Sequence, residues 1–280
     1  MLAGSIFYDR HSIVADAGDG TFDEGRAAAL LARVDGLSLR YGVQMCHDVI
    51  ATTPEAMARF VAFVAARSPL PMMINSADGR VRVAGLGAAA RLGVLGRCIY
   101  ASLNDGSEAF ELEALRRHRP AAVMVLVHDA EDPSPEGCLA VIADRFRPML
   151  DDIGVEVPIV DLAVVGPLSV GSSMRAVTAV RETYGYPAGC AFANCLPLWA
   201  GLEGLGREWV NLSLAVALAS CRVAGADFLH YGLIERAAVA AHAAGTAEVF
   251  LGAAAHRLDG ADLPEGHPVD KMFDLARPVP

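Results

Sequence analysis

Residues 71–102 read PMMINSADGRVRVAGLGAAARLGVLGRCIYAS. The segment opens with a short apolar run of strand length, continues with an Ala- and Arg-rich stretch of helical period, and ends with a second apolar run. Because both runs are continuously apolar, each predicted strand is covered on both faces, which is typical of parallel sheets. The segment therefore predicts a strand, a helix and a second, parallel strand.

The same alternation extends from this segment toward both ends of the chain. The predicted strands are 5–8, 43–46, 71–75, 98–102, 121–127, 158–162, 189–193 and 227–231. The predicted helices are 23–39, 54–67, 79–92, 107–117, 135–152, 170–184, 199–224 and 234–243. Eight such units favour a closed (β/α)8 TIM barrel of the α/β class over an open doubly wound sheet, which is the alternative.

One domain accounts for the whole chain of 280 residues. After the eighth unit we expect an added C-terminal helix at 246–257, followed by a tail at 259–280 that is rich in Pro, Gly and Asp. The first strand is not followed by a Gly-rich phosphate-binding turn, so no Rossmann-type cofactor is predicted.

Composition limits the partners and the compartment. A net charge of −10 without a basic stripe argues against nucleic acid and anionic membrane surfaces as partners. The apolar stretch 209–225 is interrupted by polar residues and is expected to be a core helix. The chain start does not resemble a signal peptide, and six scattered cysteines suit reduced thiols, so we expect a cytoplasmic location without disulfides.

The single lysine, Lys271, lies in the predicted tail. Schiff-base aldolases and pyridoxal-phosphate enzymes need a lysine nucleophile at the active site. Both reaction classes are therefore excluded for the predicted barrel mouth.

Polar residues follow most of the predicted strands, where a TIM barrel assembles its active site. Asp161 ends a buried apolar run, so its carboxylate must meet hydrogen-bond donors or have a raised pKa. Asn194 follows the seventh strand and offers both amide donors and an acceptor. For both residues the alternative is a local role, a cap for Asp161 and a turn for Asn194.

A metal site is a further alternative. His47, Asp48 and His128 lie at predicted strand ends and could serve a metal-assisted lyase, although no short metal-binding motif is present. Solvated loop residues are the favoured interpretation, so no metal ligand is predicted. Cys190 and Cys195 are expected to be small core or loop thiols rather than nucleophiles.

Several motifs resemble one known family. Residues 4–14, GSIFYDRHSIV, are similar to the S-G-T-I-F-Y-x-R-H-x-I-V opening of the H-subunit (MtrH-like) family of tetrahydromethanopterin S-methyltransferase. Residues 71–76, 98–104, 158–161 and 184–199 resemble the segments of that family around strands 3, 4, 6 and 7. The resemblance runs in order from residue 4 to about residue 200.

The resemblance implies an enzyme, a pterin-dependent and corrinoid-linked methyltransferase. A reduced pterin, tetrahydrofolate or a related tetrahydropterin, would bind at the barrel mouth as substrate, and a separate corrinoid protein would exchange the methyl group with its N5 atom. The strand-7 residue Asn194 would contact N5 and act in catalysis. The substrate-binding residues implied are Asn75, Ser76, Ser102, Asn104, Asp161 and Asn194. The resemblance also implies a homodimer, which agrees with the few charges in 209–224.

Two residues depart from the family pattern. Asn75 stands where the family has Asp, and Ala101 stands where it has Asn. The loss of one hydrogen bond to a buried ligand costs about 1–3 kcal/mol. An alternative is therefore a corrinoid-linked barrel with an altered or lost pterin site, which would use another methyl donor or acceptor or would only bind its partner.

Overall fold

Eight parallel strands close into a barrel in the computed structural model, which describes residues 1–273. In order around the barrel the strands are β1 (Leu2–Ile6), β4 (Met45–Ile50), β5 (Met72–Asn75), β6 (Cys98–Leu103), β7 (Ala122–Val127), β8 (Ile159–Leu162), β9 (Ala188–Cys190) and β10 (Phe228–Leu233). β10 pairs with β1 and closes the sheet. The (β/α)8 barrel is confirmed, each of the eight predicted strands overlaps an observed one, and the open sheet is wrong. The predicted ends of the first and seventh strands, at 8 and 193, are wrong, because β1 ends at Ile6 and β9 ends at Cys190 before a 3-10 turn.

Helices follow the strands and surround the barrel. They are α1 (Glu24–Tyr41), α2 (Pro54–Arg67), α3 (Gly79–Arg91), α4 (Ala109–His118), α5 (Pro135–Val141), α6 (Arg147–Ile153), α7 (Val170–Tyr184), α8 (Arg207–Val223), α9 (Ala237–Asp259) and α10 (Pro268–Phe273). A π turn, Ile142–Phe146, joins α5 to α6 beside Pro148, which has no N–H to donate. A short hairpin of β2 (Val14–Asp16) and β3 (Thr21–Phe22) lies in the loop after β1.

The seventh helix begins later than predicted. We expected a helix over 199–224, whereas α8 begins at Arg207 and two short 3-10 turns precede it. Gly201 and Gly206 have φ angles of 82° and 97°, which a right-handed helix cannot contain. These glycines therefore delay the start of the helix.

The eighth helix and the predicted added helix are one element. The expected break between 234–243 and 246–257 is wrong, because α9 runs through Gly245. A side chain at Gly245 would lie 3.2 Å from Met272 Sδ and 3.3 Å from Tyr41 Cδ1. The glycine thus allows α9 to pack closely against α1 and α10. The predicted tail contains α10, and its last residues, 274–280, lie outside the described part.

One stretch in the described part, Ile234–Asp259, is long and apolar enough to cross a membrane by length and composition alone. In the barrel this stretch packs against α1, α8 and α10, and 44% of its most apolar window is buried. Its apolar composition is therefore accounted for by packing in the outer layer of the fold.

Candidate active site

The inward-facing side chains of the barrel form an apolar cluster below a polar layer. The buried apolar cluster comprises Ala3, Cys46, Met73, Ile99, Ala101, Met124 and Phe228. Residues two apart along a strand point to the same face. Two residues beyond Ala3, Cys46, Met73, Ile159 and Phe228 come Ser5, Asp48, Asn75, Asp161 and His230, which we call the polar layer. The polar layer faces the C-terminal end of the strands, where barrel enzymes bind substrates.

Asp48 connects the polar layer across three strands. Its buried carboxylate accepts hydrogen bonds from Ser5 Oγ at 2.8 Å, from His230 Nε2 at 2.8 Å and from Asn75 Nδ2 at 2.9 Å. Burial raises the pKa of Asp48, but His230 and the hydrogen bonds from Asn75 and Ser5 lower it by more. The carboxylate is therefore ionised at neutral pH.

His230 is held as the tautomer that donates to Asp48. Burial lowers the pKa of His230 and the Asp48 carboxylate raises it by more. The Gly232 N–H lies 3.2 Å from Nδ1, so the contact with Asp48 is made by the Nε2 proton.

Asp161 is the polar-layer residue with unused hydrogen-bonding capacity. It is 9% exposed, and its Oδ1 atom has no hydrogen-bond partner within residues 1–273. Burial raises the pKa of Asp161 to about 6; the Asp48 charge adds to this, while His230 and a hydrogen bond from the Ala191 N–H oppose it. The carboxylate is buried as expected, and both expected alternatives apply in part, since the Ala191 N–H donates to it and burial raises its pKa. A buried acceptor without a donor is suited to a ligand N–H group.

The Asp161→Asn variant is expected to unfold at higher urea than the unaltered protein at pH 7.5. A carboxyl whose folded-state pKa is raised from 3.8 to about 6 contributes stability that is complete below pH 3.8 and is lost as the pH rises through about 6. The neutral amide avoids this loss, so the gain is about 1–3 kcal/mol at pH 7.5 and near zero at pH 4. An equal gain at both pH values would contradict the assignment.

Two of the predicted substrate-binding residues are brought together. Asn75 and Asp161 both belong to the polar layer, where Asp48 and His230 lie between them as hydrogen-bonded and electrostatic neighbours. Ala101, where the resembled family has Asn, also lies in the barrel interior. The group missing at position 101 would therefore have faced the same space.

Three other predicted residues serve their own loops or lie at the rim. Ser76 points away from the interior, is buried, and donates to the Ala51 carbonyl at 2.8 Å. Asn104 Oδ1 accepts the Gly106 N–H at 2.8 Å within its own turn. Ser102 is half-buried after the last inward residue of β6. The structure therefore gives local roles to Ser76 and Asn104, while their contact with substrate stays a prediction.

Asn194 lies in the loop after β9, the strand that pairs with the strand of Asp161. It belongs to the 3-10 turn Phe192–Leu198 that follows β9, and Ala191 at the start of this turn donates to Asp161. The Asn194 side chain is exposed and makes no hydrogen bond to the described residues. Its amide is therefore free to reach a molecule bound over the polar layer.

Exposed apolar side chains surround this part of the mouth. The loops that follow β8 and β9 carry five of them, which we call the apolar rim: Val165, Leu168, Leu198, Trp199 and Leu205. Leu168 is 97% exposed. Clustered apolar side chains beside a site are typical of surfaces that another molecule covers.

The metal-site alternative is not supported by the geometry. His47 and Asp48 are consecutive on β4 and point to opposite faces of the sheet. His47 Nε2 lies 2.8 Å from Ser68 Oγ, outside the barrel, and His128 is exposed beyond β7. Across residues 1–273 no three His, Cys, Asp or Glu side chains are grouped so that they could hold a metal ion.

The sequence as a whole matches one protein family. A model of the tetrahydromethanopterin S-methyltransferase MtrH subunit matches residues 1–262. The chain belongs to the MtrH family. The H-subunit of tetrahydromethanopterin S-methyltransferase from Methanothermobacter marburgensis is 33% identical over 98% of this chain and 91% of its own length. Its counterpart from Methanosarcina mazei is 30% identical over 97% of this chain and 91% of its own length. The predicted family is confirmed, and with it the class of enzyme, a methyltransferase.

Solved structures similar to this MtrH-family barrel are dihydropteroate synthases. The Yersinia pestis enzyme aligns with a TM-score of 0.63 at 10% identity and covers 90% of this chain and 94% of its own. The Anaplasma phagocytophilum enzyme, solved with bound 6-hydroxymethylpterin-monophosphate, aligns with a TM-score of 0.59 at 12% identity, over 89% of this chain and 98% of its own. At these identities the likeness shows the shared fold.

The MtrH-type opening motif builds a strained loop at the mouth. Phe7 and Arg10 have φ angles of 63° and 60°, a region that residues other than glycine rarely adopt. The Phe7 ring stacks on Phe60 at 4.1 Å, and the Phe7 N–H donates to His11 Nδ1 at 3.0 Å. His11 Nε2 in turn contacts Glu235 Oε1 at 2.9 Å. The motif residues Phe7 and His11 therefore hold the β1 loop against α2 and against the 3-10 turn that follows β10.

Three members of the polar layer were not assigned to the site from sequence. Ser5, Asp48 and His230 each follow an interior apolar residue by two positions, as Asn75 and Asp161 do. This spacing is the signal that would have identified them, once the strands are extended past the apolar runs.

Proposed function

We propose that this MtrH-family protein transfers a methyl group between N5 of a reduced pterin and the cobalt of a corrinoid protein. The curated relatives are named as subunits of a tetrahydromethanopterin S-methyltransferase. That name favours tetrahydromethanopterin over tetrahydrofolate as the substrate. The family membership supports the methyl transfer, and the polar layer supports the pterin.

The observation that carries the proposal is the buried Oδ1 atom of Asp161 without a hydrogen bond. A reduced pterin carries several N–H groups along one edge of its ring, and these would supply the donors that Asp161 lacks. Asn75 lies in the same layer and has a carbonyl oxygen without a partner within the described chain. Asn75 and Asp161 therefore each offer an acceptor to ligand N–H groups from the interior of the barrel.

Asn194 supports the chemistry of transfer. When the methyl–N5 bond breaks, its electron pair stays on N5, which takes up a proton from water, and the methyl carbon bonds to the attacking cobalt, which goes from Co(I) to Co(III). A hydrogen bond to N5 that strengthens as the methyl–N5 bond breaks stabilises the negative charge that develops on N5 in the transition state. The exposed amide of Asn194, on the loop after β9 and without a hydrogen bond to the described residues, supports this role.

Calorimetric titration with methyl-tetrahydromethanopterin and with methyl-tetrahydrofolate tests the pterin proposal. We expect saturable binding that is tighter for the tetrahydromethanopterin and weakens below about pH 6, because protonated Asp161 is a poorer acceptor. The Asp161→Asn variant should raise Kd more than it slows transfer in the bound complex, since its contact exists before and during transfer. No binding of either pterin by the unaltered protein would favour a barrel that lost its pterin site.

A protein partner over the mouth fits the apolar rim. A corrinoid protein must bring its cobalt to the methyl group, and the five rim residues border the route to the polar layer. The cores of protein interfaces are depleted of charged residues and enriched in aromatic side chains such as Trp. The rim supports the proposal that the corrinoid partner binds at this face.

We propose further that the protein is a homodimer in the cytoplasm. α8 presents an exposed apolar stripe, namely Trp209, Leu212, Val216 and Val223. We expect sedimentation at twice 29.4 kDa, and Val216→Arg should give the monomer. Leu39→Arg, at a 76% exposed position on α1, is the control and should leave the dimer intact. Only a 29.4 kDa species at micromolar concentration would refute the dimer.

The location is supported by six free cysteines, all buried.

A further inference from the structure

Asp48 has no solvent contact and belongs to no motif of the family resemblance, yet it contacts three of the other four members of the polar layer. A buried carboxylate is costly unless hydrogen bonds satisfy it. Its donors come from β1 and β5, which flank its own strand β4, and from β10, which lies on the other side of β1. The other ionisable groups around it are Asp161, Cys46 and Tyr231, and Asp48 raises the pKa of each of these neighbours.

The Asn75 amide can face Asp48 in one orientation only. An ionised carboxylate accepts hydrogen bonds and donates none, so the amide must present its NH2 group, at 2.9 Å. The amide oxygen then points away from Asp48, where no residue of the described chain donates to it. Asp48 thereby makes Asn75 an acceptor toward the space above the polar layer.

We propose that Asp48 is a positioning residue for substrate specificity, which orients the Asn75 amide so that this site recognises a ligand edge made of N–H donors. The inference rests on the proposed pterin substrate and explains one departure from the family pattern. An Asp at position 75 would offer the same acceptor, but beside Asp48 it would place two carboxylates about 3 Å apart, where both cannot stay ionised. Asn75 keeps the acceptor and removes that repulsion.

Exchange of the two side chains tests the proposal. In Asp48→Asn the new amide accepts from His230 with its oxygen and turns its NH2 group toward Asn75. The Asn75 amide must then reverse and present NH2 to the ligand. We expect Kd for methyl-tetrahydromethanopterin to rise about tenfold to a hundredfold by calorimetry. The double exchange Asp48→Asn with Asn75→Asp should restore Kd to within a few-fold, because the carboxylate at position 75 accepts again.

Ser68→Ala is the matched control, because it removes a buried 2.8 Å contact with His47, the β4 residue before Asp48, outside the barrel interior, and leaves Asp48 and the Asn75 amide in place. Its Kd should change much less than that of Asp48→Asn. Equal losses in the two variants, or a double exchange that binds no better than Asp48→Asn, would overturn the proposal.

A ligand-free comparison separates this inference from the proposed function. The denaturation midpoints of Asp48→Asn and Asn75→Asp should both fall, and the midpoint of the double exchange should lie closer to the unaltered protein than either. If the unaltered protein binds no pterin, the proposed function fails while the midpoints still decide the role of Asp48. A double exchange less stable than both single variants would overturn that role.

Discussion

Asn194→Ala is expected to slow methyl transfer by about a hundredfold to a thousandfold while it leaves the affinity for the pterin nearly unchanged. The hydrogen bond to N5 that we propose for Asn194 is realised mainly in the transition state, and such a bond affects the rate rather than the ground-state affinity. Single-turnover transfer under saturating pterin measures the rate, and calorimetry on the same sample measures Kd.

The exposure of Asn194 makes this variant a clean test. Its side chain has no hydrogen bond to the described residues, so its removal should not change the temperature of unfolding. A variant that transfers methyl groups at the unaltered rate would show that Asn194 has no role in the reaction. A variant that loses binding and rate in the same proportion would assign Asn194 to substrate binding instead.

Arg82→Met is expected to destabilise the protein by about 3–5 kcal/mol. The Arg82 guanidinium is 3% exposed and pairs with Glu111 at 2.6 Å, while its Nε donates to Tyr100 Oη at 3.1 Å. A further guanidinium N–H donates to the carbonyl of Ser76, the residue after Asn75. Without Arg82, the Glu111 carboxylate stays buried without its cation, and the loop after β5 loses the hydrogen bond to the Ser76 carbonyl.

Two comparisons make the Arg82 prediction specific. Arg145→Met removes an ion pair with Asp105 in which both side chains are at least half exposed, and it should cost less than about 1 kcal/mol. Arg82→Met combined with Glu111→Leu removes both buried charges and should recover much of the lost stability. Equal urea midpoints for Arg82→Met and Arg145→Met would contradict the account of the buried pair.

The strands were predictable because burial on both faces leaves a continuous apolar run. Their C-terminal ends were harder to place. The predicted strand 43–46 stops where His47 and Asp48 begin, whereas β4 continues to Ile50. Polar side chains in a buried strand need partners, and here Ser68 contacts His47 while His230 contacts Asp48. Residues that distant in sequence cannot be identified from the strand itself.

The starts of the helices were also predictable only in part. Thr53 and Ser134 precede prolines, cap α2 and α5 as expected, and accept hydrogen bonds from Ala56 N–H and Gly137 N–H. α8 has no such cap, because Gly206 precedes it with a left-handed φ angle. Capping side chains therefore made the starts of α2 and α5 predictable, and α8 offered no such signal.

Asp161 was predictable as part of the site, since a lone carboxylate in an apolar run is costly to bury unless a donor or a ligand satisfies it. Burial raises its pKa, and its Oδ1 atom has no hydrogen-bond partner within residues 1–273. The role of Asp48 as acceptor of three side-chain hydrogen bonds was not predictable, because it depends on which strands are neighbours in the closed barrel. The sequence indicates which residues are polar and buried, and the order of strands in the closed barrel determines which of them are in contact.

Protein-dependent methyl transfer is the measurement that tests the central proposal most directly. Methyl-tetrahydromethanopterin would be mixed with reduced Co(I) cobalamin as the acceptor, and the loss of Co(I) absorbance would be followed with and without the protein. We expect transfer that requires the protein, is faster than with methyl-tetrahydrofolate, and falls about a hundredfold or more in Asn194→Ala. Absorbance that decays at the same rate with and without the protein, for both pterins, would contradict the proposed function.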